Sequence, residues 1–520
     1  MLKNNFLKAV FAQTMLVIAN SVTGFLFVPY LLKTVGSEAY GFYPLSKNII
    51  GFSTLITTIL TSFLSKFITV EYLEQNYKKL NIFFNSSLYG NIISGLVVSV
   101  PLLLFSLNAQ KLLEIPEYLF FQVKTMFAFI SVSFFTSQLK NTFSAASIAT
   151  DKRYLNTYVR AFEKIVSVLF VWLFFTFIKP SVIYVGLAVF TATLLTFFIT
   201  VKIQKKIMPG AELSKKYVEK RVVRSLITAG GWHSLSQIST VVFSGVDILL
   251  ANIYLGTDAQ TLCSLALVIP NLLKSGVIYL TNWLLPFLSV LASDDKKSEL
   301  SADCDAFVKY MSIAAAVVIS VVIGFGDIFL KLWLGNFYSH KLYLLLAISG
   351  ISLFIYAAFT VLNTVLLVHN HPKMPAFITV LAGILNIPLS FFLVKFTGVY
   401  GILLSTLILN LLVYALFIPY YLTFRLKFSL KSIYKSFTAS LIVLATGTFL
   451  CMLIKNFIIL NTFLKLLPAA LAVMIILLTV VLIWFLSAED FKFIIEIIKA
   501  KINYGNDADE IQSKNDDSRI

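Results

Sequence analysis

From Ala9 to Leu486, apolar stretches of about 20 residues follow one another with only short charged breaks between them. A helix of that length crosses the roughly 30 Å hydrocarbon core of a bilayer, where backbone polar groups must bond within the segment because no water is there to satisfy them. The sequence therefore predicts an all-α, polytopic membrane protein. Composition agrees: 58% of the 520 residues are hydrophobic and 13% are charged, about half the charged fraction of an ordinary soluble domain. No room remains for a large aqueous domain.

Fourteen transmembrane helices are expected, at about residues 9–32, 42–66, 82–107, 118–146, 158–178, 182–201, 225–251, 261–288, 306–328, 342–367, 375–396, 399–422, 436–456 and 466–487. Lys3 and Lys8 precede the first run as in a signal peptide, yet that run continues past Asn20 and Gly24 to Leu32, long enough to remain as a span. With a cytoplasmic N-terminus, about 30 of the 42 Lys and Arg lie in cytoplasmic loops, tails and adjoining helix ends, and about 8 near the outer ends. The net charge of +17 thus reflects orientation, with both termini cytoplasmic, and implies no nucleic-acid partner.

An internal repeat divides the chain. VGSEAYGFYPL at Val35 to Leu45 aligns with LGTDAQTLCSL at Leu255 to Leu265 under one constant shift, pairing Gly36 with Gly256, Glu38 with Asp258 and Ala39 with Ala259. IYVGLA from Ile183 likewise parallels GVYGIL from Gly398. An even number of spans per half makes the repeats parallel, an arrangement that commonly encloses a substrate site. The expected organisation is a six-helix bundle at 1–201, a basic cytoplasmic linker at 202–224, a second six-helix bundle at 225–422, two additional transmembrane helices at 423–487, and a cytoplasmic, partly disordered tail at 488–520. The linker KIQKKIMPGAELSKKYVEKRVVR could lie as a basic helix on anionic headgroups of membrane lipids, although topology control alone accounts for its charge.

Ionisable residues inside spans carry the functional signal, because each costs about 2.5–3.5 kcal/mol at a helix centre. Lys274, in NLLKSGVIYL near the middle of span eight, is too deep to extend to either interface and is expected to face a wet cavity. Lys47, toward the outer side of span two, and Asp247, at similar depth in span seven, are candidates to pair across the halves. Lys140, beside Gln138 and Asn141 in span four, is a further candidate, with snorkelling to the cytoplasmic face as the plainer reading. Polar groups on span one (Gln13, Thr14, Asn20, Thr23) and span seven (His233, Ser236, Gln237, Thr240, Ser244) either line a cavity or bond helix to helix.

Other motifs do not develop into sites. Cys263, Cys304 and Cys451 have no metal or disulfide spacing, and His369 and His371 sit in a short turn without acidic or thiol partners. There is no nucleotide loop, nucleophile elbow or paired acidic site, so neither a cofactor nor a metal is expected and an enzyme is not favoured.

Several segments resemble the polysaccharide flippase branch of the multidrug, oligosaccharidyl-lipid and polysaccharide exporter superfamily. They are FVPYLLKTVGSEAYGFYPLSKNI, VDILLANIYLGTDAQTLCSLALVIPNLL, LKLWLGNFYSHKLYLLLAIS and NIPLSFFLVKFTGVYGILLSTLI. The resemblance implies a flippase that moves an undecaprenyl-diphosphate-linked oligosaccharide from the cytoplasmic to the outer leaflet, with polysaccharide polymerase and glycosyltransferases as partners. It also implies that cations on spans two and eight, here Lys47 and Lys274, line the cavity. The alternatives are an ion-coupled multidrug antiporter, which calls for an acidic cavity, and a membrane polymerase or ligase, which calls for a sizeable outer loop.

Overall fold

The computed structural model describes residues 2–61, 64–293, 297–369, 371 and 373–485, and the expected tail at 488–520 lies outside them. The described residues are helical throughout, without a strand. In chain order, α1 (Leu2–Val22) continues through a π turn at Thr23–Phe27 into α2 (Val28–Val35). There follow α3 (Ser37–Thr61), α4 (Leu64–Leu73), α5 (Tyr77–Asn108), α6 (Glu117–Ala149), α7 (Arg153–Phe177) and α8 (Val182–Ile207). Next come α9 (Lys220–Ala266), broken at Gly256, then α10 (Val268–Ser293), α11 (Lys297–Leu334), α12 (His340–Val368) and α13 (Lys373–Thr397). A second π turn at Leu411–Phe417 joins α14 (Tyr400–Asn410) to α15 (Ile418–Leu426), and α16 (Leu430–Phe457) and α17 (Phe463–Trp484) complete the chain. Asn76, Ser181, Ser339 and Ser429 cap α5, α8, α12 and α16, each accepting a bond from a backbone amide in the first turn.

Among the described residues ten helices are long and apolar enough to cross a membrane, and the end of α9 with α10, bent by 41°, makes an eleventh. The remaining expected spans fall on helices with more polar sequences. These are α3, interrupted by Lys47, α7, interrupted by Arg160, Glu163 and Lys164, and the Gly- and Ser-rich stretch 225–245 of α9. Helices that hydropathy rates weakest are the ones with polar groups to present to a hydrated interior.

The chain packs as two compact units. The first comprises Met1–Ser264 with Thr379–Val394, and the second Leu265–Ile378 with Lys395–Ile520. In the first unit α6 and α8 lie so close that a Cβ at Gly186 would come within 2.9 Å of the Met126 backbone. Small residues allow such approach in lipid, where packing rather than water exclusion holds helices together.

The repeat seen in the sequence is a repeat of backbone geometry. Gly36 and Gly256 have φ of 86° and 82°, so each makes a sharp turn open to glycine alone. The turns also touch: the Thr261 hydroxyl donates to the Ser37 carbonyl at 2.9 Å, and Gly41 leaves room for Thr261, whose Oγ1 would stand 2.5 Å from a Cβ there.

The linker between the halves lies inside the first unit and does not form the lipid-facing helix that its charge allowed as an alternative to topology control. α8 ends at Ile207, Met208 is fully buried beside Leu80, Phe84 and Phe143, and residues 210–219 run along α5 as irregular chain with a single 3-10 turn at Lys215–Tyr217. Side chains one turn apart on α5 supply the bonds that a helix would have made internally. Asn81 donates to the Gly210 carbonyl (3.0 Å) and accepts from the Glu212 amide (2.7 Å). Asn85 donates to the Glu212 carbonyl (2.7 Å) and accepts from the Ser214 amide (2.9 Å), and Ser86 accepts from the Glu219 amide (2.9 Å). Pro209 and Gly210 disfavour a helix here, and the two buried asparagines make the alternative stable.

In the second unit α12 is the central element, with 78% of its most apolar stretch buried. α11 lies between α12 and α16, and its contact with α16 depends on two glycines. A Cβ at Gly324 would stand 2.3 Å from Cys451 Cβ, and one at Gly447 would stand 2.4 Å from Ser320 Oγ and 2.7 Å from Leu477 Cδ1. Lys455 and Asp327 pair at 2.5 Å across the same helices. Gly447→Leu is therefore expected to destabilise this unit by about 1–3 kcal/mol through overpacking. The check is a lower unfolding temperature in detergent, and an unchanged midpoint would show that the helices separate at no cost.

Candidate functional site

Three lysines on helices of the first unit, Lys47, Lys140 and Lys164, are treated differently by the structure. Lys47 lies ten residues into α3, about 15 Å along the helix from Ser37. Its ammonium stands 4.0 Å from the ring centroid of Tyr43, one turn earlier. A tyrosine face attracts the cation without neutralising it and leaves its N–H donors available. Lys164 lies at comparable depth on α7, within electrostatic reach of Lys47 and Tyr43. Both residues are exposed. Among the described residues neither is in a salt bridge.

Lys140 is the exception. It does not snorkel to the cytoplasmic face but pairs inside the first unit with Glu163 of α7, and it also donates to the Thr196 hydroxyl of α8 at 3.3 Å. The second oxygen of Glu163 accepts from the Thr193 hydroxyl at 2.9 Å. Lys140 is 9% exposed, so a partner is an energetic requirement for its charge.

Asp247 is not paired with Lys47. It is 3% exposed, and the Asn386 amide on α13 donates to its carboxylate at 3.1 Å, with Ser390 donating in turn to Asn386 at 3.0 Å. This explains why residues 379–394 of α13 belong to the first unit. In the second unit Lys274, on α10, places its ammonium 4.9 Å from the ring centroid of Tyr356 on α12, and Tyr414 packs edge-on against that ring. Lys47 and Lys274 thus share one local design, a membrane lysine over a tyrosine face.

Sequence reasoning passed over Lys164 and Glu163 because the α7 charges begin at Arg153 and read as a helix end on the cytoplasmic side. The usable signal was depth: Lys164 is eleven residues into α7, about 16 Å from its start. Of the span-one polar groups, Thr23 bonds back to the Ala19 carbonyl at 2.7 Å. The side chains of His233, Ser236, Gln237, Thr240 and Ser244 lie outside the described residues. The three cysteines are buried and form no disulfide, and the described residues contain no group of three or more candidate metal ligands.

The described residues form a bundle of long apolar helices with related glycine turns and lysines inside the helices. The chain has the fold of the multidrug, oligosaccharidyl-lipid and polysaccharide exporter superfamily, as comparison with solved structures shows. The lipid II flippase MurJ in an inward closed conformation matches with a TM-score of 0.66 over 92% of this chain and 98% of that one, at 15% identity. An inward-facing multidrug resistance transporter of the MATE family matches with a TM-score of 0.63 over 84% and 95%, at 11% identity. In sequence, the uncharacterized membrane protein EpsK of Bacillus subtilis (strain 168) is 27% identical over 395 residues, or 76% of this chain and 78% of EpsK. No protein-family model matches the chain.

Proposed function

We propose that this protein flips an undecaprenyl-diphosphate-linked oligosaccharide from the cytoplasmic to the outer leaflet of a bacterial cytoplasmic membrane, for surface polysaccharide assembly. The observation that carries the reading is the Lys47–Lys164 pair. Two cations that form no salt bridge among the described residues repel one another, the Glu163 carboxylate near Lys164 being hydrogen-bonded to Lys140, and a diphosphate relieves that repulsion. A cationic drug would meet the same repulsion. Lys274, over Tyr356, offers the same chemistry on the second unit.

The same charge logic supplies a direction. A diphosphate diester carries about two negative charges, and each gains roughly 2.3 kcal/mol per 100 mV on leaving an inside-negative cell. Alternating access around the cationic residues then needs no chemical step. Both termini face the cytoplasm in this scheme, and glycosyltransferases supply the lipid-linked unit while a polymerase removes it outside.

Reconstitution tests the proposal. In liposomes holding a fluorescent undecaprenyl-diphosphate disaccharide, the purified protein should render the whole labelled pool, rather than the outer-leaflet portion, accessible to dithionite. Collapse of an imposed potential with valinomycin and potassium should slow the process. Protein-dependent movement of a cationic dye down a sodium or proton gradient, with no movement of the lipid, would overturn the flippase in favour of a drug antiporter.

A further inference from the structure

Glu163 is out of place in a site meant to attract an anion. It is a carboxylate next in sequence to Lys164, in the same electrostatic neighbourhood as Lys47. Turned toward them, it would occupy the positive charge that a diphosphate needs. The structure turns it elsewhere. Successive helical residues diverge by about 100°, and the hydrogen bonds of the two Glu163 oxygens go to Lys140 on α6 and Thr193 on α8, with none to Lys164 or Lys47, although its charge still reaches Lys164. Lys140 is itself fixed by Thr196.

Charge counting shows what this arrangement achieves. With Lys140 and Glu163 neutralising each other, Lys47 and Lys164 remain as a net charge of about +2, which matches the roughly two negative charges of a diphosphate diester. Without Lys140, the cations left for Glu163 to approach are Lys164 and Lys47, with Arg160 three residues earlier on its own helix.

We infer that Lys140 is a positioning residue: by binding Glu163 it withdraws a competing carboxylate from Lys164 and Lys47 and keeps those cations available to the substrate diphosphate. Lys140 then contributes to substrate binding without touching the substrate. The inference rests on the proposed diphosphate site.

Farnesyl diphosphate, a soluble prenyl diphosphate, serves as the probe, with its Kd measured by calorimetry on the folded, monodisperse fraction of the full chain. Lys140→Gln should weaken binding about tenfold or more, and Lys140→Arg should stay within about threefold of wild type because the ion pair persists. Lys140→Met combined with Glu163→Gln should also stay within about threefold, since the competitor has gone with its partner. A loss in the double variant as large as in Lys140→Gln would mean that Lys140 contacts the diphosphate itself, and would overturn the inference. So would an unchanged Kd for folded Lys140→Gln, the result of a merely structural pair. Should Lys140→Gln fail to fold, the double variant decides alone. Failure of the wild-type protein to bind the probe strikes at the diphosphate site instead, whereas wild-type binding with either overturning result leaves that site standing.

Discussion

Cells carrying Lys47→Ala together with Lys164→Ala should export almost no surface polymer while accumulating the protein at normal levels. A charge pair at 4 Å is worth about 4 kcal/mol at an effective dielectric near 20, and water in the cavity lowers that figure. Each lysine should therefore account for about tenfold to a hundredfold in substrate affinity, and removal of both for the product of the two if they act independently. Folding should not suffer, because neither side chain forms a salt bridge among the described residues and both residues are exposed. Lys274→Ala should fail in the same way, with Lys274→Arg keeping part of the activity since the charge remains. The measurement is surface polymer at matched protein abundance. Normal polymer in the Lys47→Ala/Lys164→Ala strain would remove the anion site from the account.

A second large effect is expected at the outer turns. Gly36→Val and Gly256→Val should each destabilise the first unit by about 1–3 kcal/mol, from backbone strain alone. Space is not the cause: a Cβ at Gly36 meets nothing within 4 Å, and one at Gly256 meets only Glu114 Oε2 at 3.8 Å. Gly276→Ala provides the contrast. That position is exposed on α10 with nothing within 4 Å and no positive φ, so alanine there should leave the protein as stable or slightly more so. Unfolding midpoints of the three variants, measured side by side, test whether conformation rather than volume governs the turns. Equal midpoints would contradict it.

Local chemistry was legible in the sequence, and partnership across distance was not. Apolar run lengths located the helices because burial in lipid acts on every residue of a span. The Gly36 and Gly256 alignment was legible because a positive φ demands glycine whatever surrounds it. Lys47 and Lys274 stood out because a charge amid apolar neighbours is costly wherever it points. Nothing in the order of residues indicated that Asp247 would find Asn386, 139 positions later, or that Asn81 and Asn85 would hold a linker some 130 positions away. The same limit misread Lys140. Its fate depended on Glu163, which itself read as one more charge at a helix end.

The charges on α7 bear on how the chain enters the membrane in the first place. Arg160, Glu163 and Lys164 fall within five consecutive residues, and on insertion scales charges near a helix centre cost about 2.5–3.5 kcal/mol each. A segment so burdened is a poor candidate to leave the translocon alone. One partner of Glu163, Lys140, lies on the helix synthesised just before it, and the other, Thr193, on the helix synthesised just after. α6, α7 and α8 thus have reason to partition into lipid as a trio, with α7 retained beside the translocon until α8 has emerged. The residues that shape the proposed anion site would then also set the order of membrane integration.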